Sequence, residues 1–511
     1  AVTSCLDNAA KQSYDELKKR HLDDICKNFS TCHLNLAGDW TLERLPTDVR
    51  LKYAATQADP GLDALYFQYG RWLLFASSRP GSLPANLQGI WNDSFFPPWD
   101  SKFTININTE MNYWPAAVCG LASCEEPLFD LLARMVPNGQ HTAQEMYGCR
   151  GFVAHHNTDL WGDTDPQDRY LPASFWPMGA AWLCTYIWRY YLYSCDVQLL
   201  RSRFTILEQA VLFFVDFLEQ DEDGFYVTNP SVSPENTYIL PSGVHGNLCI
   251  GSTMDMQILH ELFAGYLVAA AELDVSNETT HVAATILPQL RPMRIGKDGR
   301  LLEWGGEYGE VEPGHRHISH LYALAPGNEI STLATPKWAD AARKTLEYRL
   351  ANGGGYTGWS RAWIALFWAR LGEGCKWEEC LRELYANSTF PNLMDNHPSK
   401  HGPVFQIDGN CGMIAAMAEC LVQIIYEGMK PQAVSLLPAL PPSWQSGNVM
   451  GLRLPGGASV DILWEKGILL NTTLHATAPW RMRLHYANID AEIELFAGQS
   501  VTLNTALQTI E

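Results

Sequence analysis

Three stretches of this chain hold side chains that could move a proton or grip a neutral polar ligand. The first runs from Ile90 to Pro115 and reads IWNDSFFPPWDSKFTININTEMNYWP. Asn106 and Asn108 stand two apart in it, so an extended segment projects both amides to one side. Trp91, Trp99 and Trp114 are flat and rigid, and can stack on the C–H face of a sugar while their N–H edges take hydrogen bonds. A buried polar network under an aromatic lid would use the same residue types. So many amides in a core would each need partners, however, and a site for a neutral polar ligand uses them better.

The second stretch is Asn229–Glu235, NPSVSPE, which follows a turn at Asp221–Gly224. Two prolines stiffen the loop and leave Glu235 at its tip beside Tyr238 and Ile239. A carboxyl in apolar surroundings holds its proton more tightly and can donate it; capping a helix is the structural alternative. The third stretch is Phe405–Gly412, FQIDGNCG, with Asp408 between Gly-broken turns just before a helix. Asp408 is either the N-cap of that helix or a shielded carboxylate facing the amides.

Other motifs sharpen the choice by exclusion. Three histidines fall in EPGHRHISHL (312–321) and two in HHNTDLW (155–161). Neither stretch has HExxH or HxE…CxxC spacing, so His156 and His317 read as neutral partners for hydroxyls, and neither metal nor cofactor is expected. Gly353–Gly358, GGGYTG, formally matches a dinucleotide fingerprint but follows a helical run rather than a strand. It reads as a flexible loop leading to Trp359, Arg361 and Trp363. Ser94, Ser231, Ser233 and Ser360 lack the GxSxG setting of a serine hydrolase. Carboxylates, amides, histidines and tryptophans remain, the inventory of a glycoside-processing cleft.

The elements that must position these groups are mainly helices. Residues 1–35 form a helical lead-in. Helical spacing then marks Leu62–Ala76, Ala173–Cys195, Leu207–Leu218, Thr253–Leu273, Lys337–Leu350, Ser360–Leu371 and Gly409–Tyr426, several apolar nearly all round. Roughly a dozen helices with the chemistry in long loops predict a closed double ring, an (α/α) toroid. After Leu436 the chain alternates and grows rich in Val, Ile and Thr, which predicts a small antiparallel β domain. The expected division is a linker over 1–35, a catalytic barrel over 36–432 and the β domain over 433–511.

Charge and cysteine usage bound the setting. The 511 residues carry 36 Lys+Arg against 56 Asp+Glu, a net −20, which disfavours nucleic acid or an anionic membrane surface as partner. The aromatic run Phe175–Ser194 includes Arg189 and reads as a buried helix, not a membrane span. Sequons at Asn28, Asn92, Asn277, Asn387 and Asn471, with 13 cysteines, point to a secreted glycoprotein. Cys26/Cys32, Cys119/Cys124 and Cys375/Cys380 are close enough in sequence for short-loop disulfides.

Seven motifs in order carry a resemblance: LPANLQGIWND (83–93), NINTEMNYWPA (106–116), HHNTDLWGD (155–163), PSVSPEN (230–236), EPGHRHISHLYAL (312–324), TGWSRAW (357–363) and FQIDGNCG (405–412). Together the chain resembles glycoside hydrolase family 95, inverting α-1,2-L-fucosidases and related α-L-galactosidases. The resemblance implies an (α/α)6 catalytic barrel between a helical linker and a C-terminal β domain. It also implies an N-terminal β-sandwich, expected to be absent from this chain and cleaved off, carried separately or never encoded. By position, Glu235 matches the general acid and Asn108 the amide assigned as base. Asn106 beside it also contacts the water, and Asp408 is the carboxylate that activates it. His317 matches a sugar-contacting histidine, and Trp91, His156, Trp161, Trp359 and Arg361 complete the expected contacts.

One position departs from the pattern. Thr104 stands where many of the fucosidases have histidine, against the sugar's C6. A hydroxyl-bearing Thr104 leaves room for the hydroxymethyl of L-galactose, so activity on both fucosylated and L-galactosylated oligosaccharides is expected. A phosphorylase on the same barrel would need a phosphate site. A catalytically silent sugar-binding protein would need neither Glu235 nor Asp408.

Overall fold

The computed structural model describes residues 2–399 and 402–510. Helices dominate as far as Leu421, and eight strands follow from Val422 onward. Two helices lie deepest, Gly358–Arg370 and Ile407–Leu421, packed on one another. Between Gly358 and Ala369 every residue except Arg361 is buried, and in Ile407–Leu421 every residue except Glu419. A helix this apolar has no solvent face and must be covered on all sides. Pro60–Ser77 covers the second helix, and Gly374–Asn387 the first. Close approach depends on small residues: a Cβ at Gly70 would come 2.7 Å from Ile414, and one at Gly412 would come 2.7 Å from the Met111 sulfur.

Across the molecule, Gly179–Ser194 packs against both Val197–Phe217 and Thr253–Glu272. The charge inside it is matched, since Arg189 donates to Glu261 at 2.6 and 2.7 Å and the Tyr322 hydroxyl adds a third bond at 2.8 Å. No helix among the described residues is long and apolar enough to cross a membrane. Helix starts follow local chemistry: the Asp59, Ser252 and Thr357 side chains accept from first-turn N–H groups.

Two expected helices differ from those observed. The stretch 173–195 breaks into Leu171–Ser174 and Gly179–Ser194. Pro177 lacks an N–H and biases Trp176 away from helical angles. The expected Gly409–Tyr426 helix stops at Leu421, and Val422–Glu427 is a strand whose VQIIYE sequence favours a pleated surface.

The β region forms two sheets. Five strands run in the order His33–Leu36, Gly447–Leu454, Ala458–Glu465, Ile468–Ala476 and Ser500–Asn504. Four more run Val422–Glu427, Lys430–Leu436, Trp480–Tyr486 and Ile489–Leu495. All neighbours are antiparallel except Lys430–Leu436 with Trp480–Tyr486, which pair in parallel. The first sheet thus takes an edge strand from the lead-in, with His33 opposite Met450.

The expected disulfides are absent: all thirteen cysteines are free thiols. Cys375 and Cys380 sit on one helix, Gly374–Asn387, five residues apart and so roughly 140° apart around its axis. Cys26 is exposed on its helix while Cys32 is buried, and Cys119 and Cys124 are separately buried thiols. Of the sequons, Asn92 and Asn387 are exposed and Asn28, Asn277 and Asn471 half-buried. The Asn277 amide caps the helix Glu278–Ile286 and donates to Glu208 at 2.6 Å.

Candidate active site

The aromatic-rich stretch is pinned to the histidine stretch by a short ladder. Phe103 and Thr104 pair with Thr158 and Asn157, and the Ile105 N–H donates to the His156 carbonyl at 2.7 Å. Beyond Ile105 the chain does not stay extended, because a helix starts at Asn108. The two amides therefore part company. Buried Asn106 donates to Glu235 Oε1 at 3.1 Å, whereas buried Asn108 donates to Asp408 Oδ2. Each amide serves one carboxyl.

Asp408 is fully buried and occupies the first turn of its helix, with Gln406 at the N-cap. Its Oδ1 accepts from the Gly409 N–H at 2.8 Å. The N-cap alternative is thereby set aside, and the carboxyl faces the amide. Burial pushes its pKa up to about 7, against the pull of the Asn108 and Gly409 hydrogen bonds.

Glu235 is surrounded by polar groups rather than by Tyr238 and Ile239. Its Oε2 accepts from Arg316, and His317 Nε2 stands 3.6 Å from Oε1. The loop that carries it is tied down on both sides by buried Glu303, which accepts from Ser233 at 2.8 Å and Asn236 at 3.4 Å. Arg349 holds Glu303 at 2.5 Å and Glu310 at 2.7 Å. A fixed carboxyl on a tethered loop suits a group that must meet a substrate atom in one geometry.

Glu235 opens into a cavity of about 460 Å³ that Asn108, Thr104, His156, His317 and Trp359 also line, while buried Asp408 lies behind Asn108 and meets the cavity through that amide. That volume suits a bound sugar. Trp359 and His317 meet edge-to-face with centroids 4.8 Å apart. Burial lowers the pKa of His156 and His317, leaving neutral rings able to bond hydroxyls. His156 Nε2 stands 2.8 Å from the Asn157 amide and 3.1 Å from Asp168, and in a neutral ring it either accepts from the first or donates to the second. No group of three or more His, Cys, Asp or Glu able to hold a metal occurs among the described residues.

Three expected contacts lie elsewhere. Trp91 packs edge-on against Phe405 outside the cavity, with centroids 6.1 Å apart. Trp161 is 79% exposed and away from it. Arg361 lines a separate surface groove with Glu379, Cys380 and Glu383. In their place the cavity wall uses Trp99, Asp168, Tyr170, Arg316, Tyr356 and His397. Arg316 lies inside the HRHISH motif, next to His317, and was within reach of sequence reasoning. Tyr356 lies in the GGGYTG loop before Trp359 and was within reach as well, whereas Tyr170 sits in a loop with no distinguishing pattern.

Comparison with known proteins identifies the family. The sequence model of the glycosyl hydrolase family 95 catalytic domain matches residues 13–421, and that of the family's C-terminal domain matches 430–509. The chain belongs to glycoside hydrolase family 95. It is 39% identical to "Alpha-L-fucosidase 2" of Arabidopsis thaliana, over 99% of this chain and 60% of that protein. It is 34% identical to "Probable alpha-fucosidase A" of Aspergillus niger, over 90% of this chain and 59% of that protein. The family 95 chain thus spans about 60% of the length of these curated relatives. Among solved structures it shares the fold of a protein assigned as a kojibiose phosphorylase from human microbiome. That match has a TM-score of 0.66 at 9% identity and covers 98% of this chain and 67% of the other.

Proposed function

We propose that this chain is the catalytic portion of an extracellular, exo-acting α-L-fucosidase that works with inversion on α-1,2-linked termini. The observation that carries the reading is the division of labour around one cavity: Glu235 on its wall is held by Asn106 and Arg316, and Asp408, buried behind the wall, is held by the wall residue Asn108. Glu235 gives its proton to the departing glycosidic oxygen, and Arg316 steadies the carboxylate that results. Water on the opposite face of the sugar gives its proton toward Asp408, directly or through the Asn108 amide. An amide is a poor base alone, and its bond to a buried carboxylate with a pKa of about 7 supplies the basicity. Asn106 bonds the acid here, which supports a role in orienting Glu235 rather than in touching the water.

The helices as far as Leu421 correspond in this proposal to an (α/α)6 barrel and the strands from Val422 to a C-terminal domain, so the division expected at 433 moves to 422, and the lead-in gives its strand His33–Leu36 to that domain. Thr104 lines the cavity, which supports a second substrate, the α-L-galactoside. The test is a proton NMR time course on an α-1,2-L-fucosyl galactoside and its α-L-galactosyl counterpart. First appearance of β-L-fucose upholds the assignment. First appearance of the α-anomer would turn Glu235 and Asp408 into a retaining pair, and no cleavage of either would favour a sugar-binding protein.

A further inference from the structure

Behind Asp408 lies a second carboxyl that the mechanism above does not use. Asp395 is 0% exposed, and neither of its carboxyl oxygens has a hydrogen-bond partner. It is wedged between the first turns of two helices, Gly358–Arg370 and Ile407–Leu421. A Cβ added at either Gly358 or Gly409 would run into the Asp395 carboxyl. The first of these helices carries Trp359 of the cavity wall, and the second carries Asp408.

We propose that Asp395 is a positioning residue: its carboxyl, kept un-ionised, spaces these two helix starts and leaves the negative charge of the buried pair on Asp408. The inference rests on the reading of Asp408 as the water-activating group. The Asp395 backbone is fixed, since its N–H donates to Asn410 Oδ1 at 2.7 Å. The Asn410 amide then donates to the Leu393 carbonyl at 2.8 Å and to Tyr66 at 2.9 Å. The same segment continues into Asn396–His397, a strand paired with Val404–Phe405, which delivers His397 to the cavity.

The surroundings oppose a charge on Asp395. The helix Ile407–Leu421 presents the Asp408 carboxyl, the helix Pro60–Ser77 presents the Tyr66 hydroxyl, and the Gly358 turn presents backbone. Burial and Asp408 hold the proton on Asp395 well above the usual carboxylate range, and they outweigh the adjacent Asn396 N–H, too poorly aligned for a full hydrogen bond, and the two helix N-termini beside it. Asp408, in contrast, accepts from Asn108 and Gly409. Of two like groups that cannot both ionise cheaply, the one with donors takes the charge.

The experiment compares the wild-type chain, Asp395→Asn and Asp395→Ala by infrared difference spectroscopy and by pH–rate profiles. Wild type minus Asp395→Asn at neutral pH is expected to show the C=O stretch of a protonated carboxylic acid. Asp395→Asn keeps the wedge and its neutrality, so the acid limb of its kcat/KM profile stays where the wild type has it. Asp395→Ala lets the helix starts shift and lowers kcat by roughly 10²-fold, the cost of about 1 Å of misplacement. A carboxylate band in place of the acid band would overturn the proposal. So would an acid limb moved down by about a unit in Asp395→Asn, the sign of a removed like charge, or full turnover in Asp395→Ala. Should Asp395→Ala fail to fold, the band and the Asp395→Asn limb decide. If the wild type cleaves no fucoside, the fucosidase reading fails while the infrared band still reports on Asp395.

Discussion

Replacing Asp408 with asparagine separates what this residue does for turnover from what it costs the fold. A carboxyl whose folded pKa is about 7, against an ordinary value of 3.8, binds its proton more tightly in the native state than in the unfolded chain. Stability from this group is therefore complete below about pH 4 and declines as pH rises toward 7. The gap of about 3 units corresponds to roughly 4 kcal/mol at about 1.4 kcal/mol per unit. Asp408→Asn removes that slope. Asparagine Oδ1 can still accept from Asn108, but its NH₂ then faces the Gly409 N–H, an unmade bond costing about 1–3 kcal/mol at every pH. The variant should thus be less stable than wild type near pH 4 and equal or more stable near pH 8. Asp395 loses its charged neighbour in the variant and titrates lower, which removes part of the difference. Urea denaturation of both proteins at the two pH values measures it, and other buried carboxyls cancel in the comparison. Turnover should fall about 10²–10⁴-fold, as for loss of a positioned base, with KM little changed. A stability difference independent of pH would refute the raised pKa, and near-normal turnover would refute the role of Asp408 as the water-activating group.

For the wild type, kcat/KM should rise with pH toward a plateau through about pH 7 as Asp408 ionises, a limb missing from Asp408→Asn. Glu235→Gln should lose about 10²–10⁴-fold on a sugar leaving group and much less on an activated aryl fucoside, which needs little protonation to depart; equal losses on both would remove Glu235 as the acid. Thr104→His should shift the ratio of kcat/KM for fucoside over L-galactoside toward fucose by about 10–200-fold, the worth of one small group in a pocket. An unchanged ratio would separate Thr104 from the C6 position. Arg349→Met strands Glu303 and Glu310 without their buried cation and should cost about 3–5 kcal/mol. Thermal melts read that loss, and activity should fall with it because Glu303 tethers the Ser233 and Asn236 ends of the acid's loop.

The sequence by itself determined the helical character of the chain, the β region after it and the two carboxyls. All-round apolarity marked the cores of Gly358–Arg370 and Ile407–Leu421 as buried helices, and Glu235 and Asp408 sit in motifs dense enough to be read locally. It did not determine that Asn106 and Asn108 face different carboxyls. That depends on the turn at Ile107, where the chain leaves its short ladder and starts a helix. Nor could it show that Val422–Glu427 leaves the helix to form a sheet, or that His33–Leu36 completes the other sheet, since strand pairing over such separations is decided by which partner is nearby. The thiols stayed free for the same reason: proximity along the chain put Cys375 and Cys380 on different sides of one helix. Trp91, Trp161 and Arg361 have the right chemistry for a sugar site and point elsewhere, while Tyr170 reaches the cavity from an unremarkable loop. Residue type fixes what a side chain can do. Only the packing of the helices carrying Asp408 and Trp359 around the segment carrying Asp395 decided which of them could act together, because burial and neighbouring charge exist only once the chain has closed around them.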